Sequence, residues 1–496
     1  MSVMKEAVQA YLKSHPEAQG KELGLLLLKS IYGLKQAPQL FNQLFHEALI
    51  SLGLTQLKSE PCVYFSVRNG LFLLVGVFVD DSLITGTDEE LKLRVKEEYR
   101  KRFSNKDGTY EGTWEDEASH FCGIRITQTP NEITLDVEAG INKLFAESRD
   151  EDRREVHLGS CHPTSIPYSQ AFEKCNFEVD PKPLKLTKHQ EFLKANFANI
   201  TGSFIWFSGT CRPDITTLTN KACQGMHSPR YLHILYLEQA VRYLKRTGHY
   251  RLVYSRRDSK MTKSVRELAN LFPELEHLPR VPFVVFTDSD WATMTVIEER
   301  CRSTSGEALY LFGCLIRWAS KRQKITANSS MQAELDAASS GSDTAVWCAN
   351  FMSETKLIWG IAPKDTPPPV PQLVDNRAAL AVANHPMNHS KLRHWYVREF
   401  RIRDFQEAKL IRVYWCPTAF NIADHFTKPL KDNKFPQALT LLGIEGSPFA
   451  APPHLTGAEL VEATAKMAEM NYLHMCLHAQ ADYVIWQVSH CRVVPW

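Results

Sequence analysis

The apolar run LFLLVGVFV at residues 71–79 is the part of the sequence that most constrains the fold. It is rich in β-branched and aromatic residues and carries almost no polar side chain, which is typical of a strand buried on both faces. A second β-prone run, CVYFSV, precedes it, and the turn sequence RNG at residues 68–70 separates the two. An Asn-Gly pair between apolar runs predicts a β-hairpin. We therefore expect a hairpin in the core of a mixed α/β domain.

Two adjacent aspartates, Asp80 and Asp81, follow this run directly. Acidic residues at a hairpin tip are common on protein surfaces, so the pair alone is compatible with an ordinary polar turn. A core strand that delivers two carboxylates to one point nevertheless needs a cation to compensate their charges. The pair therefore has two interpretations, a surface turn or a divalent-metal site.

Length and composition give only general limits. The 496 residues predict about three domains of roughly 150 residues each. A content of 44% hydrophobic and 23% charged residues is ordinary for a globular protein, and the net charge of +2 gives no global signal for nucleic acid. The 12 cysteines lie too far apart for a zinc ribbon. The length and the absence of a recognisable secretory signal lead us to expect a reducing compartment, cytoplasmic or nuclear, with virus-like particles as a further location. The apolar run at 23–28 is too short to span a bilayer and predicts a buried strand.

The patterning along the chain divides it into four regions. Residues 1–147 mix strands and helices, whereas residues 148–275 carry mostly helical spacing. A proline-flanked segment at 277–282 marks the clearest boundary. Beyond it, residues 276–445 predict the order strand, hairpin, helix, strand, helix, basic helix, strand, helix. Residues 446–496 form an unassigned tail.

Several longer motifs resemble those of one known family. In chain order they are IYGLKQAP at 31–38, FVDD at 78–81, HFCGIRI at 120–126, TGSFIWFSGTCRPDI at 201–215 and SPRYLHILYLEQAVRYLKRTG at 228–248. In sequence and in order they resemble the reverse transcriptase of copia-type retrotransposon polyproteins. The resemblance covers roughly residues 25–443 and includes the segments that lie between polymerase and nuclease in that family.

In that family the polymerase palm binds two metal ions through three carboxylates, two of which come from the hairpin. The resemblance assigns Asp80 and Asp81 to the hairpin pair, and places Gly33, Gln36 and Phe78 in the polymerase motifs. The third carboxylate lies upstream of the YGLKQAP motif, whereas Asp80 is the first aspartate of this sequence. We therefore expect an N-terminally truncated palm, a polymerase remnant whose RNA-directed DNA polymerase activity is lost.

Four carboxylates further along the chain each have a distinct local setting. Asp288 follows the run VVF, which predicts a position at the centre of a strand, and Glu334 follows a capping-box spacing in SSMQAELDAA. Asp375 ends the predicted strand PQLVD, and Asp424 lies at the start of a late helix in FNIADHFTKPL. Each alone has an ordinary explanation, because acidic residues cap helices and complement their dipoles.

As an ordered set, the motifs TDSDWA, STSG, SSxxAE, VDN and NIAD resemble the ribonuclease H domain of copia-type elements. That resemblance makes Asp288, Glu334, Asp375 and Asp424 the catalytic, metal-binding carboxylates. It implies two Mg²⁺ ions about 3.5–4 Å apart, with Mn²⁺ as an alternative, and hydrolysis of RNA in RNA–DNA hybrids. Asp290 is a rival to Asp288 because strand alternation points both to one face. The motif register favours Asp288.

A basic run at residues 230–263, interleaved with tyrosines, is a candidate nucleic-acid surface. Such a run suits contacts to the phosphates of an RNA–DNA hybrid, or of an RNA template and DNA primer. A solvated basic face is the usual alternative. The candidate residues are Arg242, Lys245, Arg246, Arg251, Arg256 and Arg257.

The predicted fold class is therefore α/β (α+β). It combines a partial reverse-transcriptase palm, a helical thumb or connection region, and a ribonuclease H fold with a five-stranded mixed sheet. The enzyme hypothesis is Mg²⁺-dependent hydrolysis of hybrid RNA. The rival hypothesis is a non-catalytic retroelement relic that acts only as a nucleic-acid- or protein-binding scaffold. Association with a membrane is not expected, and the sequence indicates no protein partner.

Overall fold

The structure, a computed structural model, covers most of the chain. It describes a few residues between 9 and 19 and residues 34–79, 81–104, 112–150, 156–174, 185–255, 260–278, 281–291, 302–384, 396–431 and 434–446. Several predicted features lie outside the described residues, namely Gly33, Asp80, Arg256, Arg257, the run at 23–28 and the tail from residue 447 onward.

The first sheet contains the predicted hairpin. Its antiparallel strands follow one another in space as in sequence: β1 (Thr55–Gln56), β2 (Val63–Arg68), β3 (Leu71–Phe78) and β4 (Asp81–Gly86). Asn69 and Gly70, with φ of 53° and 78°, connect β2 to β3. Positive φ at both turn positions matches the twist of a tight hairpin, which explains why Asn and Gly occupy them. The predicted hairpin is confirmed.

Both faces of β3 are buried, as its apolar run predicts. Leu73, Val75 and Val77 join a core cluster with two helices on one side of the sheet. Phe72 and Leu74, on the other side, belong to a separate cluster that includes side chains of the C-terminal region. The first sheet is therefore a middle layer. The two helices are α1 (Ala37–Ser51) and α2 (Glu89–Phe103).

The second sheet joins segments that are far apart in sequence. Its antiparallel strands are β5 (His120–Phe121), β6 (Ile124–Thr129), β7 (Glu132–Asp136), β8 (Arg251–Ser255) and a short strand at Ile444–Glu445. Strand β8 lies between β7 and the short strand. Leu252 and Tyr254 are both fully buried there, so burial by two neighbours favours a strand within a helical region.

Residues 148–275 are otherwise helical, as predicted. The helices of this part are α3 (Glu138–Asp150), α4 (Ala171–Lys174), α5 (Lys188–Ala195), α6 (Phe197–Thr210), α7 (Thr216–Cys223), α8 (Tyr231–Thr247) and α9 (Lys260–Leu271). Among the helices within the described ranges, none is long and apolar enough to cross a membrane.

The third sheet is five-stranded and mixed. Its strands are β9 (Phe283–Asp290), β10 (Thr304–Leu311), β11 (Cys314–Arg322), β12 (Val370–Val374) and β13 (Ile411–Trp415). The spatial order is β11-β10-β9-β12-β13. The first three strands are antiparallel, and β12 is parallel to both β9 and β13. A five-stranded mixed sheet is thus confirmed, and the chain is a mixed α/β protein.

Four helices accompany this sheet, in the predicted order. They are α10 (Ser330–Glu354), α11 (Arg377–Asn384), α12 (Tyr396–Glu407) and α13 (Phe435–Leu442). The late helix predicted to carry Asp424 is instead a 3₁₀ turn, Ile422–Phe426. Pro429 follows within a few residues, and proline disfavours helical backbone at and before its own position. A true helix therefore begins only at Phe435.

Candidate metal centre

Two neighbouring parallel strands place two of the predicted carboxylates at one edge of the third sheet. Asp288 lies in β9 and Asp375 directly follows β12. The carboxyl ends of parallel strands meet at the same edge, where open α/β sheets form their sites. Asp288 lies two residues before the end of β9, not at its centre as predicted, because the strand continues only to Asp290.

The other two carboxylates come from elements packed against that edge. Glu334 lies in the first turns of α10, whose N-cap Ser329 accepts a hydrogen bond from the Gln332 backbone N–H, as the capping-box spacing predicts. Asp424 lies in the 3₁₀ turn. Gly306 pairs with Asp288 across β9 and β10, and a Cβ there would lie 2.4 Å from the Ala423 carbonyl oxygen. Glycine therefore lets the turn approach the strand.

The structure brings the predicted set together. Carboxylate oxygens of Asp288, Glu334 and Asp375 all lie within 4.8 Å of one another. Asp424 lies close enough to add its charge to theirs, and its Oδ1 is 2.6 Å from Nζ of Lys428. We call Asp288, Glu334, Asp375 and Asp424 the carboxylate cluster. Its members come from a strand, a strand end, a helix and a turn.

Burial and mutual repulsion make the carboxylate cluster hard to ionise. Burial, followed by the charges of Asp375 and Asp424, raises the pKa of Asp288 to about 7. Burial and the charges of Asp288 and Asp375 raise the pKa of Glu334 to about 9. Burial also raises the pKa of Asp375. A divalent cation removes the repulsion, and a set of oxygen donors alone suits a hard cation.

Hydrogen bonds hold two members of the cluster in place. Thr427 donates its hydroxyl to Oδ2 of Asp288 at 2.9 Å. Lys428 pairs with Asp424 four residues earlier. Neither residue was singled out from the sequence, although an acid and a base four residues apart is a spacing that pairs charges on a helical segment. The spacing could therefore have revealed Lys428, whereas nothing in the sequence marks Thr427.

Asp288 and Asp290, the two candidate metal ligands of β9, have different surroundings in the structure. Asp290 is buried like Asp288, but a different cation faces it, since Oδ2 of Asp290 lies 3.8 Å from Nζ of Lys221. Within the described residues, the group of three close metal-binding side chains includes Asp288 and not Asp290. The choice of Asp288 as a ligand stays a prediction that this geometry favours.

A positively charged side chain stands beside Asp375. The guanidinium of Arg377 is exposed and lies 4.2 Å from the ring centroid of Trp415. The Trp415 ring is oriented by a 2.9 Å hydrogen bond from its Nε1 to the Asp375 carbonyl oxygen. Sequence reasoning missed Arg377, because the strand that supplies its aromatic neighbour lies far along the chain.

The polymerase hairpin is present, and of its two aspartates the structure describes Asp81. Asp81 is exposed and pairs with the half-buried Phe78 across β3 and β4. Val79 has φ of 53°, an uncommon conformation for a β-branched residue. Gln36 occupies the N-cap of α1 without a capping hydrogen bond from its side chain. Within the described ranges, Asp81 is not in a group of three close metal-binding side chains.

The basic run divides into structural and exposed members. Arg242 donates to the His162 carbonyl at 2.9 Å. Lys245 lies 2.5 Å from the Gly159 carbonyl oxygen, so both side chains hold one loop. Arg251 lies 3.9 Å from Asp136, whereas Arg246 is exposed on α8. The interleaved Tyr243 and Tyr254 are fully buried and therefore cannot stack on bases.

Part of the chain matches a known protein family. Residues 10–167 match the family described as reverse transcriptase (RNA-dependent DNA polymerase). This part of the chain is therefore reverse transcriptase-like. No solved structure gives a significant match.

Similar proteins include Pol polyproteins of retrotransposons. The chain is 26% identical to the retrovirus-related Pol polyprotein from transposon RE1 of Arabidopsis thaliana, over 85% of this chain and 25% of that protein. It is 25% identical to the one from transposon TNT 1-94 of Nicotiana tabacum, over 86% of this chain and 28% of that protein. The chain thus spans about a quarter of these relatives. The resemblance to copia-type Pol polyproteins is confirmed.

Proposed function

We propose that residues 276–445 form a ribonuclease H domain that hydrolyses the RNA strand of RNA–DNA hybrids with Mg²⁺. One observation carries this proposal, namely the buried carboxylate cluster at the carboxyl ends of two adjacent parallel strands. Its oxygens lie within 4.8 Å of one another in the three closest members. The order β11-β10-β9-β12-β13 supports it as well, because the resemblance implies a five-stranded mixed sheet.

The residues fit a divalent cation. Asp288, Glu334 and Asp375 would hold it, with Asp424 beside them, and their all-oxygen chemistry favours Mg²⁺, with Mn²⁺ as an alternative. A bound metal pair would supply Lewis-acid stabilisation of phosphate charge and a water of lowered pKa. Thr427 fixes one oxygen of Asp288, and Lys428 limits the charge of Asp424. Specificity for RNA would come from contacts to the 2′-hydroxyl.

Two exposed cations are candidates for phosphate contacts. Arg377 stands two residues from Asp375 and is oriented by the Trp415 ring. Arg246 extends from the outer side of α8. We expect Arg377→Ala to weaken hybrid binding and to lower the slope of log affinity against log salt by about 1. An unchanged slope in that variant would remove Arg377 from the interface.

A cleavage assay on the full chain tests the nuclease proposal. A labelled RNA–DNA hybrid is incubated with Mg²⁺ or with a chelator, using the unsubstituted chain, Asp288→Asn and Glu334→Gln. We expect both variants to lose about a hundredfold or more in rate, because each removes a ligand charge. Asp365→Asn is the matched control, since Asp365 is exposed in a loop. Cleavage that is absent, or is unchanged in both variants, contradicts the proposal.

For the polymerase hairpin we propose that the 496-residue chain, tested by itself, does not extend a primer on an RNA template. The support is that its only carboxylates before Asp80 are glutamates, none of them in a segment that resembles the missing palm motif. Primer extension with Mg²⁺ is the assay. Extension that Asp80→Asn abolishes would show that the hairpin still works as a polymerase site.

A second candidate function is a binding scaffold without catalysis. The observation in its favour is that Lys428 already neutralises Asp424 at 2.6 Å. Hybrid binding measured without Mg²⁺, compared with cleavage in its presence, separates the two functions. Tight binding with no cleavage by the unsubstituted chain supports the scaffold.

A further inference from the structure

Helix α7 precedes the third sheet in the chain by some sixty residues, yet three of its polar side chains contact that sheet or the 3₁₀ turn that carries Asp424. Thr217 donates to the carbonyl oxygen of His425 at 2.5 Å, in the turn that carries Asp424. Asn220 donates to Oγ of Ser320 in β11 at 2.9 Å. Lys221 donates to Oγ1 of Thr304 in β10 at 2.8 Å. The helix therefore touches three different elements around the carboxylate cluster.

Lys221 is buried and also faces β9. Its Nζ lies 3.8 Å from Oδ2 of Asp290, and Thr304 and Asp290 are directly opposite each other in the β9–β10 ladder. Only 7% of Lys221 is exposed. A buried ammonium group requires compensation, and the carboxylate of Asp290 provides it. The same contact compensates Asp290.

Asp290 lies in the electrostatic field of the carboxylate cluster. It follows Asp288 by two residues in one strand, so both side chains project from the same face. Burial opposes protonation of Lys428, but Asp424, Asp288 and Asp290 together raise its pKa. The Lys221 ammonium therefore competes with any metal ion bound by the cluster for the carboxylate of Asp290.

We propose that Lys221 is a positioning residue of the metal centre, which holds Asp290 in an ion pair and leaves Asp288 as the ligand that β9 supplies. The inference rests on the proposed function in one respect, that the carboxylate cluster binds a divalent cation. It goes beyond the proposed function by making Lys221, which lies in α7 and outside residues 276–445, part of the metal centre.

Charge arithmetic predicts the effect of each substitution on metal affinity. Lys221→Met removes one positive charge beside the carboxylate cluster, which strengthens the attraction for a cation. Asp290→Asn removes one negative charge there, which weakens that attraction. The double variant removes both charges, so the net charge around the carboxylate cluster is the same as in the unsubstituted chain. At low ionic strength we expect changes of about fivefold in each direction.

The experiment is a double-mutant cycle on the full chain, with the Mg²⁺ dissociation constant measured by titration calorimetry at pH 8.5. Affinity should rise in Lys221→Met, fall in Asp290→Asn, and return to within about twofold of the unsubstituted chain in the double variant. Asn220→Ala is the matched control, because it removes a contact of the same helix to β11 and should leave the Mg²⁺ affinity unchanged. Unfolding midpoints without Mg²⁺ verify that each variant folds, and Lys221→Arg, which keeps the charge, should bind like the unsubstituted chain.

Cleavage provides the second measurement. In Lys221→Met the rate should fall about tenfold, since the metal is drawn towards Asp290, and adding Asp290→Asn should restore it. A purely structural Lys221 would show no such rescue. Affinities that move in the same direction in both single variants, or a double variant that stays altered, overturn the inference. Mg²⁺ binding without cleavage by the unsubstituted chain refutes the nuclease proposal only, whereas no Mg²⁺ binding refutes both.

Discussion

At the scale of single residues, the carboxylates that suit the cluster to a metal ion also destabilise the metal-free fold. Burial and like charges raise the pKa of Asp288 to about 7 and that of Glu334 to about 9. An acid whose pKa is higher in the folded than in the unfolded chain stabilises the fold below the unfolded pKa. That contribution is lost as pH rises through the folded pKa. The metal-free protein is therefore destabilised by these two groups from about pH 4 upward.

The first prediction is that Asp288→Asn stabilises the metal-free chain at pH 8. Asparagine removes the repelled charge and can still accept the hydrogen bond from Thr427. We expect a gain on the order of 2 kcal/mol in the free energy of unfolding, which shrinks to nearly nothing at pH 4. Urea denaturation in the presence of a chelator measures it. Destabilisation at pH 8 would show that repulsion does not dominate the site, and Asp365→Asn should have no effect.

The second prediction concerns the pH dependence of metal binding. The pKa values of about 7 for Asp288 and about 9 for Glu334 mean that these carboxyl groups still hold protons near neutral pH. A metal ion must displace those protons in order to bind. Mg²⁺ affinity should rise between pH 6 and 9 by about tenfold or more, and binding should release protons. Calorimetry in two buffers with different ionisation enthalpies counts the protons. A pH-independent affinity would mean that both carboxylates are already ionised.

At the scale of elements, a buried ion pair joins α8 to the turn that precedes α7. The guanidinium of Arg212 is fully buried and contacts Asp214 at 2.7 Å, and it donates to the Thr247 carbonyl at 2.8 Å. Tyr243 donates its hydroxyl to the same carboxylate at 2.8 Å. This network therefore fixes where α7 begins, and with it the position of Lys221.

The third prediction is that Asp214→Ala destabilises the chain by about 3–5 kcal/mol, because it leaves a guanidinium buried without its counter-charge. Thermal or urea unfolding measures the loss. The pair of the exposed Glu89 and the half-buried Lys92 on α2 is the control, and Glu89→Ala should cost about 0.5 kcal/mol. Equal losses in the free energy of unfolding for the two variants would show that a buried Arg212 without its counter-charge costs no more than loss of the Glu89–Lys92 ion pair.

At the scale of the whole molecule, α10 connects the carboxylate cluster to the first sheet. Glu334 lies near its N-terminus, and Glu354 at its C-terminus accepts hydrogen bonds from the backbone N–H groups of Lys58 and Ser59 at 2.6 and 2.8 Å. Trp347 donates from Nε1 to the Ser59 carbonyl at 3.1 Å. The outer face of the first sheet shares a core cluster with this helix. The polymerase hairpin and the carboxylate cluster thus adjoin one continuous core.

The fourth prediction is that Glu354→Ala loosens the first sheet from α10. Two hydrogen bonds to a charged acceptor are lost, so the free energy of unfolding should fall by about 2 kcal/mol, and the Lys58 and Ser59 amides should exchange faster. Hydrogen-exchange mass spectrometry or NMR measures this. Glu407→Ala, at an exposed position on α12, is the control. Unchanged exchange at residues 58 and 59 would mean that apolar packing alone holds the sheet.

Local patterns in the sequence predicted those features that neighbouring residues decide. The Asn69-Gly70 hairpin and the capped start of α10 follow from turn chemistry and capping. The order of strands and helices after residue 282 was likewise predictable. The late helix around Asp424 was not, since Pro429 and close packing against Gly306 favour a 3₁₀ turn.

The sequence by itself therefore determined the family resemblance, the mixed sheet and the identities of the four clustered carboxylates. Only the tertiary structure decided two of the charged contacts, Lys221 against Asp290 and Glu354 against the loop of the first sheet. The physical reason is distance along the chain. Periodicity and capping act within a few residues, whereas these contacts and the second sheet join segments separated by tens to hundreds of residues, which only the packed core brings together.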